Sequence, residues 1–79
     1  MYYISDISDF EKKENNFCND IFDKYPNLNE AIDACRRDEI CEAIEDSKCD
    51  NQGAFYLCKS SDLGTYGLGP SCVYKKTGK

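Results

Sequence analysis

The residues of this 79-residue chain that could do chemistry are its six cysteines. They stand at positions Cys18, Cys35, Cys41, Cys49, Cys58 and Cys72. An even number of cysteines in a short chain is typical of a disulfide framework. Structural zinc sites usually contain close C-x2-C pairs, often with histidine, and thioredoxin-type redox sites contain C-x-x-C. The chain has neither such a pair nor any histidine, so we expect disulfides, with no metal and no cofactor.

Catalysis has little support among the remaining side chains. Without histidine, Ser-His and Cys-His nucleophile pairs are excluded. The 15 aspartates and glutamates could in principle provide a pair of catalytic carboxylates, as in glycosidases. Such a pair needs a dry, concave site that raises the pKa of one acid, and so small a chain lacks that cleft. We therefore expect a protein that is not an enzyme.

Two polar segments have both a binding and a structural interpretation. Asp50 to Gly53 could be part of a calcium loop, but the spaced acids and the terminal glutamate of an EF-hand are missing, which favours a plain turn. The pair Arg36 and Arg37 could bind an acidic glycan. The simpler interpretation is a charged pair at the end of a helix, beside Asp38 and Glu39.

Three apolar residues on a glycine-rich segment, residues 60–70, are further binding candidates. Leu63, Tyr66 and Leu68 could be exposed for recognition, as aromatic residues on loops often are. They could equally fold back over the open end of the core. The sequence leaves both interpretations open.

The overall charge of −5 argues against phosphate contacts with nucleic acid and against anionic membrane surfaces. No segment has the length and hydropathy of a membrane span. The first six residues have no basic region and no apolar run, so they do not resemble a signal peptide. We expect an expressed mature fragment of a secreted, extracellular protein.

The elements that must position these residues are centred on one predicted helix. Asn27 is a suitable N-cap, and Glu30 follows at the spacing of a capping box. Leu28, Ala31, Ile32 and Cys35 then form one apolar stripe, which predicts that Cys35 faces a sheet.

Strand patterns are clearest after this helix. Residues 40–46 and 54–59 both alternate, which predicts an antiparallel hairpin around a long loop, and residues 71–76 resemble a final strand. Residues 17–25 fit a helix or a strand equally well. Residues 11–16 are polar and suggest a solvated turn or a frayed helix, whereas residues 2–5 could be a short edge strand.

Together these patterns predict an α+β fold: a small disulfide-rich domain with one main helix on a curled antiparallel sheet. We divide the chain into an N-terminal extension, residues 1–17, which could hold an edge strand or a helix, a domain of residues 18–76 and a tail of residues 77–79.

The predicted helix, Leu28 to Cys35, with Cys41 to Ile44, Phe55 to Cys58 and Ser71 to Lys75, resembles the PAN/apple superfamily. Such domains look like a helix cradled by a curled antiparallel sheet, with disulfides between the two. The resemblance implies pairing of the first cysteine with the sixth, the second with the fifth and the third with the fourth. In this chain those pairs are Cys18–Cys72, Cys35–Cys58 and Cys41–Cys49.

The resemblance also implies a role in recognition. PAN/apple domains are similar in binding proteins or carbohydrates, so an extracellular adhesion module is the first expectation. A diffusible signal, such as a pheromone, or a toxin is the alternative. A structural component of the extracellular matrix is the third possibility.

Overall fold

A computed structural model describes residues 9–59, 63–65 and 70–77. Seven strands and one helix follow each other along the chain. They are β1 (Phe10–Glu14), β2 (Asn16–Cys18), β3 (Ile21–Tyr25), α1 (Leu28–Arg37), β4 (Ala43–Asp46), β5 (Phe55–Cys58), β6 (Leu63–Thr65) and β7 (Cys72–Lys76).

Five of the strands form one antiparallel sheet in the order β1-β7-β4-β5-β3, and β2 pairs with β6 in a small second sheet. The predicted α+β fold, disulfide-rich with one main helix on an antiparallel sheet, is confirmed. The central strand β4 is buried along its whole length.

The helix forms where its capping signals predict. The Asn27 side chain accepts a hydrogen bond from the Glu30 backbone N–H at 2.9 Å, and Glu30 accepts one in return from the Asn27 amide at 3.3 Å. Ala31, Ile32 and Cys35 are buried and Leu28 is half-buried, as the apolar stripe predicts. One face of a short helix is thereby turned towards the sheet.

The core lies between α1 and one face of the sheet. The buried side chains on this side share an apolar or aromatic character; they are Phe10, Ala31, Ile32, Ala34, Cys35, Cys41, Ile44, Phe55, Leu57 and Tyr74. A smaller cluster on the opposite face contains Cys18, Ala43, Cys58 and Val73. Because both faces of the central strands are covered, even a chain of this size has fully buried strands.

The predicted hairpin and the final strand are both present. Strands β4 and β5 pair antiparallel with Ile44 opposite Leu57, and β7 pairs with the other edge of β4. The strands are slightly shorter than the alternating patterns, although Glu42 and Lys59 still form backbone hydrogen bonds beyond their ends.

The polar segment at residues 11–16 was predicted as a turn or a frayed helix, and this is wrong for most of it. Strand β1 pairs with β7 from Phe10 opposite Lys76 to Glu14 opposite Cys72. Charged residues are tolerated here because β1 is at the edge of the sheet, where side chains reach water. The edge strand considered at residues 2–5 lies outside the described residues.

The structure resolves the ambiguity at residues 17–25 and differs from the sequence prediction at residues 60–70. The ambiguous residues 17–25 contain β2 and β3 and no helix. The segment 60–70, predicted as a loop, contains β6, which pairs with β2. The extension at residues 1–17 and the domain at residues 18–76 therefore meet inside β2, and β1 belongs to the same sheet as the rest. Of the predicted tail, Thr77 is described and its N–H bonds to the Asp9 carbonyl at 3.0 Å.

All six cysteines form disulfides, but the pairing implied by the resemblance is wrong in every case. Instead of Cys18–Cys72, Cys35–Cys58 and Cys41–Cys49, the bonds are Cys18–Cys58, Cys35–Cys41 and Cys49–Cys72. Three disulfides in so small a chain are consistent with an extracellular environment.

Local geometry explains the observed pairs. After α1, the Asp38 carbonyl accepts the Cys41 N–H at 3.0 Å, and this tight turn brings Cys41 back to Cys35, with 5.1 Å between the Cα atoms. Cys49 follows β4 into a turn and reaches Cys72 on the neighbouring β7. Cys18 bonds to Cys58 across the second cluster, which fastens β2 to the main sheet.

Candidate functional site

The Arg36 guanidinium binds a residue of its own chain. Its Nε and Nη2 donate to the two carboxylate oxygens of Asp9 at 2.8 and 2.7 Å. The same group lies over the Phe10 ring at 5.9 Å. The hydrogen bond from Arg36 holds the pKa of Asp9 below its usual value. Arg36 therefore joins Asp9, which immediately precedes β1, to the end of α1, which is a structural role.

The neighbouring Arg37 pairs with Asp33, one turn earlier on α1. The predicted partners Asp38 and Glu39 are thus replaced by Asp9 for Arg36 and by Asp33 for Arg37. Arg37 is also close enough to Tyr25 to lower the pKa of that hydroxyl, against the larger effects that raise it. Both arginines are exposed, but neither lines the groove described below.

The apolar candidates of the glycine-rich segment are only partly described. Leu63 lies in β6 opposite Cys18. Tyr66 and Leu68 lie outside the described residues. The choice between exposure for recognition and coverage of the core therefore stays a prediction for these three residues.

The turn that follows β4 is held by its own side chains. The buried carboxylate of Asp46 accepts the Asn51 N–H at 2.8 Å, and Asp50 accepts the Gln52 N–H at 3.0 Å. The Tyr74 hydroxyl bonds to the Asn51 side chain at 3.4 Å, and burial together with the Asp46 charge raises the pKa of Tyr74. The carboxylates thus cap backbone groups, as in a plain turn. Among the described residues, no three histidine, cysteine or acidic side chains form a group that could hold a metal ion.

A surface groove of about 310 Å³ lies where β3 leads into α1. It is lined by Lys24, Tyr25, Pro26 and Ala54. Tyr25 and Ala54 are half-buried, whereas Lys24 and Pro26 are exposed. The paired strands β3 and β5 hold the two sides together, because Tyr25 lies opposite Phe55 in the ladder. The groove is therefore positioned by two paired strands, with Pro26 and Ala54 immediately beyond their ends.

Gly53 makes the close approach of the two sides possible. A Cβ atom at this position would lie 2.2 Å from the Pro26 carbonyl oxygen, which is far inside van der Waals contact. Only glycine lets the end of the turn pass so near to the residue that precedes the helix cap. Residues 53 and 54 therefore connect the turn that follows β4 to the groove.

Asp23 organises the polar groups beside the groove. Its carboxylate accepts the Lys24 backbone N–H at 2.8 Å and the Tyr25 hydroxyl at 3.4 Å. Partial desolvation and this carboxylate raise the pKa of Tyr25. The Lys24 ammonium forms no ion pair within the part of the chain that the structure describes.

Sequence reasoning did not identify this groove. Residues 17–25 fitted a helix or a strand equally well in the sequence, and Asp50 to Gly53 indicated only a turn. Nothing in the spacing of residues 24–26 and 53–54 shows that they meet, because their proximity depends on the pairing of β3 with β5. The sequence offered one local sign: Pro26 follows β3 and Gly53 precedes β5, so both ends of this strand pair have a residue typical of turns.

Comparison of the chain with protein families, with curated proteins and with solved structures gave no match. In the described residues, no helix is long and apolar enough to cross a membrane. Interpretation of the groove therefore rests on its own geometry.

Proposed function

We propose that this chain is an extracellular, non-catalytic recognition module that binds a protein or a carbohydrate. The observation that carries the proposal is the groove at Lys24, Tyr25, Pro26 and Ala54, at the end of a strand that pairs with β5. Strand β5 is in turn joined to β2 by the Cys18–Cys58 disulfide. Recognition benefits from such a scaffold, because residues held in place before binding lose little conformational entropy on binding.

The chemistry of the side chains supports a binding role over a catalytic one. Every cysteine is in a disulfide and the chain has no histidine, so a thiolate nucleophile and an imidazole base are missing. The buried carboxylates Glu45 and Asp46 accept hydrogen bonds from backbone N–H groups, which is a structural use. The proposal does not depend on the PAN/apple resemblance, whose implied disulfides differ from those observed.

The direct test uses the oxidised, folded chain on a glycan array and on a panel of cell-surface protein ectodomains. Reduced and alkylated chain serves as the control for binding that needs no fold. We expect saturable binding to at least one member, lost on reduction. Binding to none, or equal binding by the alkylated chain, contradicts the proposal. Activation of a cellular receptor at nanomolar dose would favour the diffusible signal, and self-association would favour the matrix component.

A further inference from the structure

The charge and shape of the groove narrow the class of partner, if the proposed recognition role holds. Among its four lining residues, Lys24 is the only charged one. Its ammonium has no ion pair within the described residues, although the whole chain has a charge of −5. A ligand that fills the groove with an apolar group can therefore place an anionic group on Lys24.

A second apolar feature lies on the same face of the same strand. Ile21 is opposite Cys58 and Lys24 is opposite Tyr56. Cys58 and Tyr56 are two residues apart on β5, so Ile21 and Lys24 share a face of the sheet. Ile21 is 46% exposed and so offers an apolar surface beside the groove. Ile21 and Lys24 are three positions apart, at most about 10 Å along the strand, and they share a face because the register shifts between Ile21 and Asp23.

These features favour an extended protein segment over a sugar. A sugar exposes many hydroxyl groups, and a groove lined by tyrosine, proline, alanine and one lysine would leave most of them without hydrogen bonds. The Tyr25 hydroxyl already donates to Asp23, which leaves Lys24 as the one lining side chain with donors to spare for a sugar. An extended chain of a few residues reaches from the groove to Ile21.

The outer edge of β3 further restricts how such a segment is held. The Lys24 backbone N–H already donates to the Asp23 side chain at 2.8 Å. A partner strand that added itself to this edge would have to displace that bond. Side chains in the groove and against Ile21, rather than a continued ladder, are thus the available contacts.

We propose that the partner is an extended protein segment that places an apolar side chain in the groove and the carboxylate of an adjacent acidic residue on Lys24. The same segment continues along β3 towards Ile21. Gly53 is the positioning residue that keeps the Ala54 side of the groove close to Pro26.

The test is a titration of ¹⁵N-labelled, oxidised chain, followed by amide chemical shifts. Three probes are compared: a pool of acetylated, amidated peptides with apolar–Asp–Gly–apolar sequence, the same pool with Asn in place of Asp, and D-glucuronate. We expect saturable shifts at residues 21–26 and 53–54 with the Asp pool, in the millimolar range because the contact is small. The Asn pool should bind about tenfold more weakly, the effect of losing one charge pair of about 1.4 kcal/mol.

Three variants sharpen the test. Lys24→Glu should weaken binding of the Asp pool at least about tenfold, whereas Lys48→Glu makes the same charge change on an exposed residue outside the groove and should not. Ala54→Leu should fill the groove and weaken both peptide pools. The spectrum of each variant reports directly whether it is folded.

The outcomes separate this inference from the proposed function. Saturable shifts at the groove with glucuronate alone would replace the protein segment by an acidic glycan and overturn the inference. So would shifts elsewhere, no shifts at all, or equal binding by Lys24→Glu and Lys48→Glu. A partner from the ectodomain panel that binds away from the groove would leave the proposed function standing, whereas absence of any partner removes both.

Discussion

Glu45 is a buried charged residue whose two carboxylate oxygens both accept hydrogen bonds. It is only 8% exposed and lies on the face of β4 that carries the second apolar cluster. One carboxylate oxygen accepts the Cys18 N–H at 2.8 Å and the other accepts the Ser47 hydroxyl at 2.9 Å. Since both oxygens have donors, this carboxylate fastens β2 to the sheet beside the Cys18–Cys58 disulfide.

The variant Glu45→Ala should lower the free energy of unfolding by about 1–3 kcal/mol, because the Cys18 N–H is left buried without an acceptor. Glu45→Gln keeps one carbonyl oxygen and should cost less. The midpoint of urea denaturation, with disulfides intact, measures both. A cost for Gln that equals or exceeds that for Ala would contradict this role.

Asp9 makes a pH-dependent contribution to stability. Its pKa is lowered in the folded state, first by the hydrogen bond from Arg36. A carboxyl group with a lowered folded pKa stabilises the fold above its unfolded pKa and loses this effect as the pH falls through the folded value. The pair is nearly half exposed, so its contribution is at most about 1 kcal/mol.

The variant Asp9→Asn should therefore be less stable than the parent chain at neutral pH by at most about 1 kcal/mol, and the difference should shrink on acidification below about pH 4. Thermal denaturation at a series of pH values measures this difference. Since the ion pair is partly exposed, added salt should also reduce it. A difference that grows on acidification would show that Asp9 does not act through Arg36.

At the scale of the element, the stability of α1 comes from its N-terminal cap and its packing, because the helix is short. With ten residues it is marginal as an isolated helix, and the cap at Asn27 satisfies an N–H group that has no partner within the helix. Packing of Ala31, Ile32 and Cys35 against the sheet supplies the rest.

The variant Asn27→Ala should cost about 1 kcal/mol of unfolding free energy, because the Glu30 N–H loses its acceptor. Asn29→Ala is the matched control, since Asn29 is exposed in the first turn of the same helix and accepts no cap bond. Urea denaturation of the two variants gives the comparison. Equal costs would mean that helix propensity, rather than capping, sets the effect.

Elements with a local signal were predictable, and those defined by distant partners were not. The cap at Asn27 and the alternation of Phe55 to Cys58 are complete within a few residues of sequence. By contrast, β1 has only one buried residue, Phe10, and becomes a strand because β7 offers it an edge. The three residues of β6 likewise depend on β2.

At the scale of the molecule, the cysteines also combine one feature that the sequence predicts with one that depends on distant partners. That all six are oxidised follows from composition, but which of them meet depends on strand order. Cys49 reaches Cys72 because β7 lies beside β4, although 23 residues separate them. The groove was missed for the same reason, since Pro26 and Gly53 meet only through the pairing of β3 with β5.

The three disulfides should contribute unequally to stability. Their partners are separated by 40, 23 and 6 residues for Cys18–Cys58, Cys49–Cys72 and Cys35–Cys41. Loop-closure entropy assigns them about 3.9, 3.4 and 2.2 kcal/mol. Paired Cys→Ala substitutions, followed by thermal denaturation of each double variant, should therefore rank in this order. The greatest loss on removal of Cys35–Cys41 would show that strain or packing outweighs loop closure.

Mapping of the disulfides in unreduced protein tests the central claim, a scaffold closed by these three bonds, most directly. Trypsin cleaves after Lys48 and chymotrypsin after Phe55 or Tyr56, which separates Cys49 from Cys58 before mass spectrometry. The structure predicts peptides joined through Cys18–Cys58, Cys35–Cys41 and Cys49–Cys72. Peptides joined through Cys18–Cys72, Cys35–Cys58 and Cys41–Cys49, or six free thiols, would contradict it.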